Sequence, residues 1–170
     1  MAKKGLCIVL AVIFSVLLTG CKISYSFTGA DVPSNANTFS VEFFKVSAAL
    51  TNPSYAQKLT ERLKDQLQNQ TRLSLSPTQG DLQFGGTVTR YDVVPMAIQG
   101  NERAGINRFT ITLRVNYVNT LDESKNFERD FTQFVDFDGA RNLSDVETAL
   151  IDEINDKLVQ DIFNASLGNW

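Results

Sequence analysis

The residues in this chain whose types and spacing could do chemistry are Leu18-Thr19-Gly20-Cys21. Small residues and then a Cys, set directly after an apolar run, match the bacterial lipobox. In that reading the Cys21 thiol takes a diacylglyceryl group and the Gly20–Cys21 bond is cut. The freed Cys21 amine then takes a third chain. The flanking residues must present this site to the processing machinery. Lys3 and Lys4 give a basic start, and Leu6 to Leu18 give an apolar core, so residues 1–20 read as a secretory signal peptide. Thirteen apolar residues fall short of the ~20 that a membrane span needs.

Each buried methylene adds ~0.8 kcal/mol, so two or more chains on Cys21 hold a protein stably to a leaflet. Lys22 stands where Asp would favour retention in the inner membrane, and no acidic cluster follows Cys21. The expected address is the outer membrane, lipid-anchored, on its periplasmic side. The mature chain has 150 residues, enough for one domain with one core. It holds 14 basic against 19 acidic residues, a formal charge of −5. That balance argues against a nucleic-acid partner, which needs a basic footprint.

With no His in the chain, Ser-His-Asp and Cys-His nucleophilic schemes and the usual zinc ligand sets are excluded. Cys7 leaves with the signal and Cys21 carries lipid, so no disulfide is available. Carboxylate pairs such as Asp136 with Asp138, or Asp152 with Asp156, read as solvated surface. No phosphate-loop, dinucleotide or calcium-loop pattern occurs. An enzyme is not expected, and neither is a metal or any cofactor beyond the covalent lipid on Cys21.

Residues 21–37 are small and polar and read as a lipidated tether. Phe39, Val41 and Phe43 alternate in a first strand over 38–46 that slips at Phe44. Asn52-Pro53 suits a helix start, and Leu59, Leu63 and Leu67 make the apolar stripe of a helix over about 53–70. A second strand begins at Leu82; Gly85-Gly86 within it suggests a bulge or a close backbone approach. Tyr91 and Val93 then continue with opposite parity, and residues 95–107 read as a long loop. In the third strand Phe109, Ile111, Leu113, Val115 and Tyr117 alternate with polar residues without error. Phe127, Phe131, Val135 and Phe137 mark the fourth, with Phe134 breaking its polar face. Ser144 and Glu147 have capping-box spacing, and Val146, Leu150, Ile154, Leu158 and Ile162 form the stripe of the last helix. Gly168 reads as its stop, and Trp170 as tucking back on the domain.

One-faced helices and a one-faced sheet satisfy each other by packing together. The expected fold is therefore α+β: a two-layer sandwich with a four-stranded, mostly antiparallel sheet and two helices on one face, in the order β-α-β-β-β-α, over 38–170.

Several stretches resemble LptE-like lipopolysaccharide-assembly lipoproteins, in their Bacteroidetes branch. These are residues 21–27, 81–84, 95–102, 108–114 and the ending Gly168-Asn169-Trp170. The resemblance covers the mature chain and implies a fold of two helices on a four-stranded sheet behind a lipid anchor. It also implies a role: seated in the lumen of the LptD outer-membrane β-barrel, assisting its assembly and helping pass lipopolysaccharide to the cell surface.

A face bearing Thr110, Thr112, Arg114, Asn116, Glu128, Asp130 and Thr132 suits a polar barrel lumen, and equally suits plain solvent. A second class of function stays open: a periplasm-facing lipoprotein holding an amphiphile between helices and sheet, or an accessory subunit of another outer-membrane assembly. The first reading expects a filled core, the second a lined cavity. Arg103 and Arg108 are the basic residues of the long loop and its edge. They could meet lipopolysaccharide phosphate or the barrel wall; or Arg103 balances Glu102 and Arg108 pairs across strands. The anchor is the most direct point to test. Cys21→Ala should abolish incorporation of a labelled fatty acid, and equal label in mutant and wild type would end the lipoprotein reading.

Overall fold

The computed structural model of the chain describes residues 32–49, 52–96 and 105–168. Cys21, Gly20, Arg103 and Trp170 lie outside them. The elements in order are β1 (Thr38–Val41), β2 (Lys45–Val46), α1 (Tyr55–Gln70), β3 (Ser74–Leu75), β4 (Leu82–Met96), β5 (Ile106–Asn119), a 3-10 turn (Glu123–Lys125), β6 (Phe127–Asp138) and α2 (Leu143–Leu167).

The α+β class and the two helices are as expected, but the sheet is not four-stranded. It has six strands in the order β3-β1-β4-β5-β6, with β2 also beside β4. It is mixed: β1 pairs with β3 and β4 in parallel, β2 with β4 in parallel, and only β4-β5 and β5-β6 are antiparallel. The reason is topological. A strand that returns to its neighbour through a helix, as β1 and β2 do through α1, arrives parallel.

The first strand is broken rather than continuous. Val41 pairs with Phe84 and Lys45 with Thr87, so the neighbour of β4 uses one residue more over this span than β4 does. The extra residue is Phe43, which turns outward and is 62% exposed, against the expectation that it faces the core. Phe44 takes the inward place and is fully buried. Gly85-Gly86 serves close approach and not a bulge, since both stay in register with Asn116 and Val115. The bulge lies between Val88 and Arg90, and it moves the inward parity from Val88 to Tyr91.

β4 and β5 also run further than expected. Pro95 pairs with Asn107 and Met96 with Ile106, so much of the expected loop over 95–107 is strand. Pro95 is tolerated because β2 reaches only as far as Val88, leaving that side of β4 unpaired by β2.

Both helices pack on one face. Leu59, Leu63 and Leu67 of α1 and Leu150, Ile154, Leu158 and Ile162 of α2 are buried with Phe39, Phe44, Phe84, Phe109, Ile111 and Leu113 of the strand layer. The space between the layers is filled by these side chains. Two contacts, one buried and one half-buried, join helices to sheet and to each other. The Tyr91 hydroxyl donates to Glu147 at 2.6 Å, and the Tyr55 hydroxyl donates to Asn155 at 2.9 Å. The Glu147 carboxylate also accepts from the Asn52 amide at 3.1 Å. The expected capping box is therefore not made: α2 starts two residues earlier than a Ser144 cap implies, at Leu143 with Asn142 as its N-cap, and Glu147 is turned to the sheet. Asn52 acts one turn ahead of α1, where its Oδ1 accepts from the Ser54 amide at 3.0 Å.

Asp81 ties the sheet's first strands together. Its Oδ2 accepts from the backbone amides of Asn37 and Thr38 and from the Thr38 hydroxyl, each at 2.9 Å. Its backbone carbonyl accepts from the Thr120 amide at 2.9 Å. The amides of Asn37 and Thr38, then the Thr38 hydroxyl, hold the carboxyl below its usual range.

Two outcomes follow from this fold. Leu113→Asp places an unpaired charge in the core and should cost about 3 kcal/mol or more in thermal or denaturant unfolding, whereas Thr112→Asp, facing outward, should cost under about 1 kcal/mol. A reversed order would invert the two faces. For Asp81, a carboxyl pKa lowered on folding adds stability above the unfolded pKa of ~3.9, and that stability is lost as pH falls through the folded value. Asp81→Asn should therefore destabilise most near neutrality, and the gap to wild type should narrow below about pH 4. A gap of constant size from pH 3 to 7 would contradict the clamp.

Candidate functional site

The face of the sheet away from the helices is where the remaining chemistry lies. In antiparallel strands, directly opposed residues share a face. On this face Arg114 opposes Asp130, Thr112 opposes Thr132, Asn116 opposes Glu128 and Arg108 opposes Asp136. Arg114 donates to Asp130 from Nε at 2.9 Å and Nη2 at 3.1 Å. Arg108 donates to Asp136 from Nε at 2.7 Å and Nη2 at 2.8 Å. The Thr112 and Thr132 hydroxyls meet at 2.9 Å, and Arg90 donates to Asp92 at 2.8 Å. The bonds from Arg114 and Arg108 hold Asp130 and Asp136 below the usual carboxylate range, and both arginines are raised in turn. These pairs are well exposed, so they contribute little to stability. Their effect is to fix a flat, polar surface of mixed sign.

Thr110 keeps its place on this face but is not wet. It is buried, flanked across the sheet by Asp92 and Phe134. Arg108 pairs across strands with Asp136, and its guanidinium lies 3.8 Å over the Phe134 ring. The Nη1 of Arg108 is outside the Asp136 fork and has no partner among the described residues. Of the carboxylate pairs considered from sequence, Asp136 is bound to Arg108, Asp156 to Arg62 at 2.6 Å, and Asp138 accepts from the Ala140 amide. None forms an acid–base couple. Among the described residues, no group of three His, Cys, Asp or Glu could hold a metal.

Sequence reading missed an apolar end to this face. Val94, Met96, Ile106 and Phe134 share its parity beside Arg108 and are each about two-fifths exposed. Only Phe134 was visible as a break in the polar pattern. Met96 and Ile106 were hidden because they fall in the expected loop over 95–107, and Val94 stood at its border. The face therefore has two zones, a polar ladder over its middle and an apolar patch at the β4–β5 tip.

No helix among the described residues is long and apolar enough to cross a membrane. The fold has counterparts among solved structures. A putative neuraminyllactose-binding hemagglutinin homolog from Helicobacter pylori is 14% identical, with 83% of this chain and 88% of that one covered and a TM-score of 0.53. A protein from Xanthomonas campestris is 10% identical, covering 79% and 86%, with a TM-score of 0.54. At such identities these two likenesses bear on the fold alone. A minor lipoprotein from Acinetobacter baumannii is 18% identical, covering 72% and 91%, with a TM-score of 0.40. No match is found among curated proteins. The family model for LptE, lipopolysaccharide-assembly, matches residues 36–166, from just before β1 almost to the end of α2. The chain belongs to the LptE family of lipopolysaccharide-assembly proteins.

Proposed function

We propose that this protein is an outer-membrane lipoprotein that sits in the lumen of an LptD-type β-barrel and supports its assembly in lipopolysaccharide transport to the cell surface. The family match over 36–166 is the observation that carries this reading. In this proposal residues 1–20 are the signal peptide and 21–37 the tether, with 38–170 as the domain. Cleavage between Gly20 and Cys21 and lipidation of Cys21 fix it to the periplasmic side of the outer membrane. It acts by binding, without a catalytic step or a cofactor other than that lipid.

Two features of the molecule support a plug over an amphiphile carrier. The polar ladder of Arg114–Asp130, Thr112–Thr132 and Asn116–Glu128 suits the polar interior of a barrel. The space between helices and sheet, where a carrier would hold its ligand, is filled by buried aromatic and aliphatic side chains. The tip has a different character. Val94, Met96 and Ile106 suit an apolar contact, Arg108 beside them offers a guanidinium donor to phosphate, and Arg103, in the segment that joins β4 to β5, is the second candidate. This tip is proposed to meet either the lipopolysaccharide head group or the barrel wall.

A depletion strain complemented in turn with wild type and with Arg103→Ala/Arg108→Ala tests both levels. Depletion should leave the barrel misassembled and lipopolysaccharide stalled on the periplasmic side. A normal barrel and normal surface lipopolysaccharide would favour the carrier alternative. In the double variant, loss of lipopolysaccharide binding with the barrel complex intact would assign a lipid contact. Loss of the complex would make the tip a docking element, and full complementation would leave both arginines structural.

A further inference from the structure

The extra residue between β1 and β2 leaves its mark on the open face. Phe43 stands up from the sheet there at 62% exposure, while its neighbour Phe44 is held inside. Next to it β4 presents Gly85, which has no side chain on that face. Glu42 lies over the gap, with Oε2 3.2 Å from where a Cβ would stand. The result is an open trough of about 370 Å³. Phe43 and Glu42 form one bank, and Arg114, Asn116 and Glu128 form the other. This volume falls at the low end of the ~300–1,000 Å³ of small-molecule sites.

The two banks differ in chemistry. One offers the flat, apolar face of an aromatic ring. The other offers an amide, a carboxylate and a guanidinium, whose donors and acceptors are planar and directed. Arg114 spends Nε and Nη2 on Asp130, and its Nη1 has no partner among the described residues. The charges around the trough nearly cancel, with Glu42 and Glu128 against Lys45 and Arg114, and Asp130 adjoining. A phosphate finds no net positive field there. An aromatic side chain of a partner protein would satisfy Phe43 but cover Asn116 and Arg114 without pairing them, which costs a buried donor its hydrogen bonds to water.

An uncharged sugar ring meets every requirement. Its C–H face packs on Phe43, its hydroxyls donate to Glu42 and Glu128, and they accept from Asn116 and Arg114. We propose that this trough is a saccharide subsite that takes one uncharged hexose unit of a glycan. It does not rest on the barrel-plug reading, because sugar binding is measured on the isolated protein and barrel assembly in cells.

The test uses the full chain purified in a detergent without a sugar head group. Saturation-transfer NMR is recorded with the methyl glycosides of glucose, galactose, mannose, rhamnose and N-acetylglucosamine. At least one should bind with a dissociation constant on the order of 1 mM. Phe43→Ala and Glu128→Gln should each weaken that binding by about tenfold while leaving thermal unfolding unchanged, since both side chains are exposed. Displacement by inorganic phosphate would mark an anion site and overturn the proposal. So would the absence of transfer to any glycoside in the panel, or equal transfer in both variants.

Discussion

At Gly86 the sheet leaves no room for a side chain. A Cβ there would stand 2.3 Å from the Arg114 carbonyl oxygen of β5 and 2.9 Å from the Phe44 ring. Because position 86 is bare, Phe44 can lie beneath β4 and complete the core under α1, where its amide donates to Thr60 Oγ1 at 3.3 Å. Seating Phe44 there forces the chain to gain a residue between Val41 and Lys45, which turns Phe43 out. The inner packing and the outer relief of this part of the sheet thus have one cause. Any larger residue at 86 must displace backbone of β5 or the Phe44 ring, and either change propagates to both faces.

The two sides of the sheet divide the physical work. The inner side carries the stability, through contiguous burial of aliphatic and aromatic side chains from all three long strands and both helices. The open side carries cross-strand pairs whose charges are mutually neutralised and largely solvated. A surface of that kind contributes little to folding and is free to be shaped for a partner. Its apolar end, around Met96 and Ile106, lies at the opposite end of β4 from the Asp81 clamp and the start of the domain. The polar ladder therefore lies between the clamped end and the apolar tip.

Arg129 shows how the exposed edge of the sheet is kept from pairing. It occupies an inward position on the edge strand β6, opposite Val115, where an apolar residue would be expected. Its guanidinium sits 4.9 Å from the Phe127 and Phe131 rings, so the stem packs while the charge stays at the edge. An inward charge on an edge strand disfavours a second strand docking there.

The sequence by itself determined the elements with strong local period. The error-free alternation of β5, the leucine stripe of α1 and the every-fourth-residue stripe of α2 needed no partner to be read. The lack of His bounded the chemistry in the same local way. Only the tertiary structure decided what depends on a partner strand. Two-residue strands such as β2 and β3 are too short to carry a period, so their parallel pairing and the six-stranded sheet were invisible. Gly85-Gly86 suggested either a bulge or a close approach, and the packing of Phe44 and β5 chose the second. The real bulge at Thr89 has no residue signature beyond the parity change that follows it. Glu147 had the spacing of a capping residue, but Tyr91 and Asn52, distant in sequence, claim its carboxylate. The continuation of β4 through Pro95 was concealed because a Pro argues locally against a strand. It is allowed where β2 no longer pairs with β4, and only the assembled sheet reveals that.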